Sequence, residues 1–133
     1  MRWQRIIFWG LTGLLFFLIL AASWVSESQM AGQAWIPRWL GEWADESPNF
    51  RTMLPFVPLA FLLVRCFSGK GGPQSFLWAV FLSFACLFLA EGGQVWLPQR
   101  TADPADLRWG GLGILLGSLL GAGWRRIGSA LPD

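Results

Sequence analysis

One short stretch, AEGGQVWLPQRTADPAD, joins two apolar runs and places Glu91, Gln94, Arg100, Asp103 and Asp106 between them. Glu91 and Gln94 are three residues apart and share one face of a helix. Arg100 follows Gln94 by six residues, and Asp106 follows Arg100 by six. A hairpin at this point brings acid, amide and guanidinium together, with Arg100 able to bridge Glu91 and Asp106 through its planar fork. Such a group offers hydrogen bonds and charge to a headgroup or an anionic ligand. The purely structural alternative is a solvated turn, in which Asp106 caps the following helix and Arg100 anchors at lipid phosphates. Glu91 argues for function, since apolar residues precede it and Val95-Trp96-Leu97 follow. A charge in a membrane helix costs roughly 2.5–3.5 kcal/mol at the bilayer centre on insertion scales, and less near the surface.

The alternatives in catalysis and metal binding are weaker. Glu91 has the chemistry of a general base, but no motif surrounds Ser83 or Ser118 to make either a nucleophile. Three carboxylates, Glu91, Asp103 and Asp106, are the right donors for a hard cation, yet the arginine among them opposes one. The chain has no His, which removes His-based triads and most zinc and haem sites. No metal and no cofactor is expected, and an enzyme is the least favoured class. The two cysteines, Cys66 and Cys86, sit in apolar runs and read as buried small hydrophobes.

These side chains must be positioned by apolar elements. Of 133 residues 54% are hydrophobic and 14% charged, a membrane composition. A net charge of +2 without a basic block gives no footprint for nucleic acid. Four apolar runs stand out, at about 6–25, 53–67, 75–97 and 107–124. The first has 20 residues, enough at ~1.5 Å each to cross a ~30 Å hydrocarbon core. Arg2 and Arg5 ahead of it and Ala21-Ala22-Ser23 within it resemble a signal peptide, but its length and aromatic content predict an uncleaved span. Lipid supplies no hydrogen bonds, so all four runs are expected as helices. Pro55 and Pro58 are expected near the start of the second, where their missing amides cost little. The expected fold is therefore a single all-α domain, an integral bundle of four transmembrane helices. Between the first two lies a segment in which Trp35, Trp39 and Trp43 recur every four residues, as in a short interfacial helix.

Orientation follows from Lys and Arg. With the N-terminus inside, Arg2, Arg5, Arg65, Lys70, Arg125 and Arg126 fall on the cytoplasmic side, and Arg38, Arg51, Arg100 and Arg108 outside. The bias predicts both termini in the cytoplasm and the polar stretch facing outward. Gly113, Gly117 and Gly121 form a small-residue stripe, expected to pack against Ala79, Ser83, Cys86, Ala90 and Gly93 of the third run, with homodimerisation as the alternative.

The pattern from Glu91 to Asp106, E-x-x-Q-x-x-x-x-x-R-T-x-D-x-x-D, resembles the signature of VanZ-like membrane proteins. The glycine-rich last run matches that family, and NFRTMLPFVPLAFLL, Asn49 to Leu63, is similar to its entry into the second span. One departure is Gly110, where the family usually has Asn. The resemblance implies a small bacterial inner-membrane protein with a role near the cell envelope. The family's namesake is associated with resistance to the glycopeptide teicoplanin. Two functions remain open: binding an envelope lipid or anionic ligand at Glu91, Gln94, Arg100 and Asp106, or serving as a non-catalytic accessory subunit of a larger membrane complex. A transporter or channel is disfavoured, because no run carries a charge at its middle.

Overall fold

The computed structural model describes residues 2–24, 29–67, 73–97 and 103–130, with the backbone alone for residues 2 and 125–130. Five helices follow one another: α1 (Arg2–Ser23), α2 (Arg38–Glu46), α3 (Pro48–Phe67), α4 (Pro73–Gln94) and α5 (Pro104–Ala130). Among the described residues the chain is all-α. Three helices among the described residues are long and apolar enough to cross a membrane: Trp3–Ser23, Pro48–Phe67 and Pro73–Gln94. That is one fewer than the four runs suggest. At 27 residues α5 has the length, but its many glycines and Arg108 dilute its hydropathy.

The long helices alternate in direction, so the C-terminal ends of α1 and α4 meet the N-terminal ends of α3 and α5. The core is a column of Phe56, Leu59, Ala60 and Leu63 from α3, Ala79, Cys86, Leu87 and Ala90 from α4, Ile19 from α1 and Ile114 from α5. Large apolar side chains also cover the outside. Ile6, Leu14 and Phe17 on α1, Leu77 and Phe81 on α4, and Leu115, Leu119 and Leu120 on α5 are all exposed. A surface this apolar suits lipid far better than water. Two buried hydroxyls are satisfied within their own helices: Thr12 donates to the Phe8 carbonyl at 2.7 Å and Ser83 to that of Ala79 at 2.8 Å. Cys66 and Cys86 are buried free thiols.

Parallel α3 and α5 make the most extensive helix pair. A Cβ at Gly113 would strike the Met53 carbonyl oxygen and come within 3.1 Å of Phe56 Cβ. One at Gly117 would strike the Val57 carbonyl and lie 3.0 Å from Ala60 Cβ, and one at Gly121 would lie 2.9 Å from Val64 Cβ. The stripe therefore faces α3, not α4 as its place in the sequence suggests. Gly93, expected on the same α4–α5 face, lies instead beneath the Trp24 indole at the end of α1. Contact between α5 and α4 runs through Gly110, where a Cβ would come 2.5 Å from Leu87 Cδ1. Leu87 thus fills the space in which the expected Asn side chain would stand.

Two other boundaries differ from expectation. Helix α3 begins at Pro48, five residues before the apolar run, so Pro55 and Pro58 lie inside it. They deny the Arg51 and Leu54 carbonyls their usual amides. Helix α2 carries Trp39 and Trp43, but Trp35 precedes it in a turn and donates its indole N–H to Gln33 Oε1 at 3.3 Å.

Candidate functional site

One cavity of about 190 Å³ opens at the end of the bundle where α1 and α4 stop and α3 and α5 start. Leu15, Leu18, Ile19, Ala22 and Ser23 of α1 form its apolar wall. Arg51, Thr52, Pro55 and Phe56 of α3 face that wall, Glu91 and Gln94 come from α4, Asp106 from α5, and Met30 from the preceding loop.

Glu91 and Gln94 reach the cavity because the last turn of α4 carries both on its inner face. Each is buried, at 7% and 4% exposure. Beyond Gln94 the helix ends in three tighter turns, with the amides of Val95, Trp96 and Leu97 donating to the carbonyls of Gly92, Gly93 and Gln94. Trp24 fixes this end from α1: its indole N–H donates to the Leu89 carbonyl at 3.2 Å while its ring covers Gly93. Only glycine permits that approach, so the second glycine of the Gly92-Gly93 pair is a packing requirement.

Helix α5 begins with a division of labour between two aspartates. Asp103 Oδ1 accepts the Ala105 amide at 2.8 Å and caps the helix, with Pro104 in the first position, where a missing amide is harmless. Asp106, in the first turn, is thereby left to face α3. There the Thr52 hydroxyl donates to its Oδ1 at 2.8 Å. The longer contact of the same hydroxyl to the Pro48 carbonyl, at 3.2 Å, is the weaker one.

Arg51 also meets Asp45, an acid that does not line the cavity. Its Nη1 lies 3.4 Å from Asp45 Oδ1. The same carboxylate accepts the Met30 amide at 2.8 Å and the Ala31 amide at 3.0 Å. These two hydrogen bonds, led by Met30, hold the Asp45 carboxyl below its ordinary value; partial burial opposes them, and Arg51 adds a smaller pull. Asp45 thus links the loop before α2 to the start of α3. Gly41 makes the link possible, since a Cβ there would come 2.6 Å from Ala31 Cα.

Of the residues singled out from sequence, Glu91, Gln94 and Asp106 share this cavity. Asp103 caps its helix outside it. Arg100 lies outside the described residues. Arg51 and Thr52 were missed as site residues. Their signal was a polar pair directly ahead of an apolar run, inside the Asn49–Leu63 segment already noted. Among the described residues no group of three acids or thiols is placed to hold a metal ion. Ser83 is fully buried and committed to the Ala79 carbonyl, so it is no nucleophile.

Apolar helices of membrane-crossing length, wrapped around a polar cavity at one end, define a small helical protein of membrane type. The chain belongs to the VanZ/LLP1 family, whose profile matches residues 6–125. No curated protein and no solved structure matches it.

Proposed function

We propose that this protein crosses the bacterial inner membrane four times, with both termini in the cytoplasm and α2 lying in the outer headgroup layer. There it binds the polar head of an envelope lipid or an anionic ligand through Glu91, Gln94, Arg100 and Asp106, joined by Arg51 and Thr52. The exposed leucine face of α5 supports the fourth crossing: Leu112, Leu115, Leu116, Leu119 and Leu120 all point away from the bundle. The exposed Trp39 and Trp35 at and before α2 suit an interfacial position.

The observation that carries the binding reading is Gln94. Its side chain lines the cavity at 4% exposure, and its amide hydrogen-bonds to no described residue. A polar amide turned to a cavity inside an apolar bundle keeps its hydrogen-bonding capacity for an occupant, whereas a position needed only for packing favours an apolar residue. The test is the lipid retained by protein purified in mild detergent. Gln94→Leu and Arg51→Ala are expected to lose a lipid that the wild type keeps, with thermal stability within a few degrees. Wild-type lipid in the same proportions as the bulk membrane overturns the reading.

A second reading, an accessory subunit, draws on the groove of about 680 Å³ between α4 and α5. Ser118 lines it, and its buried hydroxyl has no described hydrogen-bond partner. A stoichiometric companion after gentle purification favours this role, and a lone monomer opposes it.

A further inference from the structure

We infer that the groove between α4 and α5 seats one acyl chain of a membrane phospholipid, whose phosphate meets Arg108 at the groove's outer mouth. This site is separate from the polar cavity. It rests on one part of the proposed function, the crossing of the membrane by α5, and on nothing that binds in the cavity.

The groove follows from the way α5 uses its glycines. Gly113, Gly117 and Gly121 face α3. The side left towards α4 holds Leu107, Gly111, Ile114 and Ser118, opposite Phe76 and Phe84. The space they enclose is about 680 Å³. A Cβ at Gly111 would meet only Phe84 among the described residues, at an ordinary 3.7 Å, whereas those of the stripe would strike a neighbouring helix. A side chain at Gly111 therefore has room to fill the groove without parting α3 from α5.

The depth of the groove favours a chain over a helix. From Arg108 to Leu119 the α5 axis rises about 17 Å, a little over half of a ~30 Å hydrocarbon core. An acyl chain occupies one leaflet. A partner helix crosses both, and much of its course would lie beyond the groove.

The mouth carries the matching charge. Arg108 is exposed and makes no ion pair among the described residues. Asp106 stands two residues earlier, about 200° around the helix, and accepts Thr52 on the α3 side. Asp103 accepts the Ala105 amide. The Arg108 guanidinium is a planar fork suited to phosphate oxygens, on the outer end of α5 where a fourth crossing places headgroups.

Photolabelling of the full chain tests this in vesicles of phosphatidylethanolamine and phosphatidylglycerol. The probe is a phosphatidylglycerol with a diazirine near the end of one acyl chain. Label is expected on Phe76, Ser118 or Leu119, at the deep end of the groove, about tenfold above Leu14 on the exposed face of α1. Gly111→Leu is expected to cut that label about tenfold, and Arg108→Gln about fivefold, the worth of one cation near a charged surface. Arg108→Gln changes only the surface, so it decides the matter if Gly111→Leu fails to accumulate. Gln94→Leu is expected to leave the label in place, so failure of the cavity reading does not touch this one. Loss of label in Gln94→Leu with full labelling in Arg108→Gln puts the lipid in the cavity and overturns the groove. Label no denser at the deep end than at Leu14 overturns a seated chain. No label anywhere on α5 overturns the fourth crossing and the groove with it. A dimer in the vesicles that Gly111→Leu dissociates gives the groove to a second copy and overturns the lipid.

Discussion

Thr52 and Asp106 join the N-terminal ends of two parallel helices: the Thr52 hydroxyl donates to Asp106 Oδ1 at 2.8 Å. The bond sits on the cavity wall and at the head of the α3–α5 seam, so it links the geometry of the site to the packing of the bundle. Thr52→Val keeps the side-chain shape and removes the donor. The expected loss is about 1.5–3 kcal/mol, the range for a hydrogen bond to a charged group. Thr52→Ser, which keeps the hydroxyl, is expected to stay near wild type. Thermal unfolding of both variants in the same detergent checks the pair.

The seam itself is sensitive to added volume. Gly117→Val places two methyl groups against the Val57 carbonyl and Ala60 Cβ. A side chain can rotate away from such a clash, but a helix backbone cannot without separating the helices. The expected cost is at the upper end of the ~1–3 kcal/mol usual for overpacking, or failure to accumulate. Gly13→Ala on α1 is the contrast, since nothing lies within 4 Å of the added Cβ. It is expected to be neutral or to gain up to ~1 kcal/mol from helix propensity. Melting temperatures in opposite directions are the result that supports the α3–α5 seam.

Much of this was legible in the sequence, and the failures have physical causes. Apolar runs announce helices because lipid leaves the backbone no other partner. Glu91 and Gln94 stand out because polar side chains are rare in such runs, and their shared face follows from spacing alone. Arg51 and Thr52 lie where an apolar run begins, and charge at a boundary reads as ordinary solvent contact until α3 is seen to start at Pro48. The glycine stripe showed that a helix approaches closely, but not which one. Helices adjacent in sequence are the default neighbours, whereas α5 sets its glycines against α3 and meets α4 through Gly110 and Leu87. The alternative in which Asp106 caps the helix falls one turn late: Asp103 does that work, and Asp106 is left for the cavity.

Trp24 and Gly93 form a second link close to the site. Gly93→Ala places a methyl group within the Trp24 indole and is expected to push the ring off the α4 end, breaking its bond to the Leu89 carbonyl. Trp24→Phe loses that hydrogen bond, worth about 1 kcal/mol, together with the part of the ring that covers Gly93. If the two residues act through one contact, Gly93→Ala should cost less in the Trp24→Phe background than in the wild type. A double-mutant cycle of unfolding free energies measures the difference. Strict additivity separates the two residues and removes Trp24 as the element that sets the α4 end of the cavity.

The last prediction concerns acid. Asp45 binds a proton less readily in the folded chain than its ordinary value of 3.8, because ionised it accepts the Met30 and Ala31 amides and faces Arg51. A lowered folded pKa means that the unfolded chain takes up the proton first. The stabilisation is complete above the ordinary value and disappears as pH falls through the lower, folded one. The melting temperature of the wild type is therefore expected to decline below about pH 4, and Asp45→Asn, which has nothing to titrate there, should flatten its share of that decline. Asparagine keeps the shape but offers one acceptor oxygen where the carboxylate offers two, so one of the two amides loses its bond and Arg51 loses its counter-charge. Loss of lipid retention by Asp45→Asn at neutral pH, without loss of the folded state, ties Asp45 to the orientation of Arg51. Unchanged retention leaves Asp45 as a loop fastener alone.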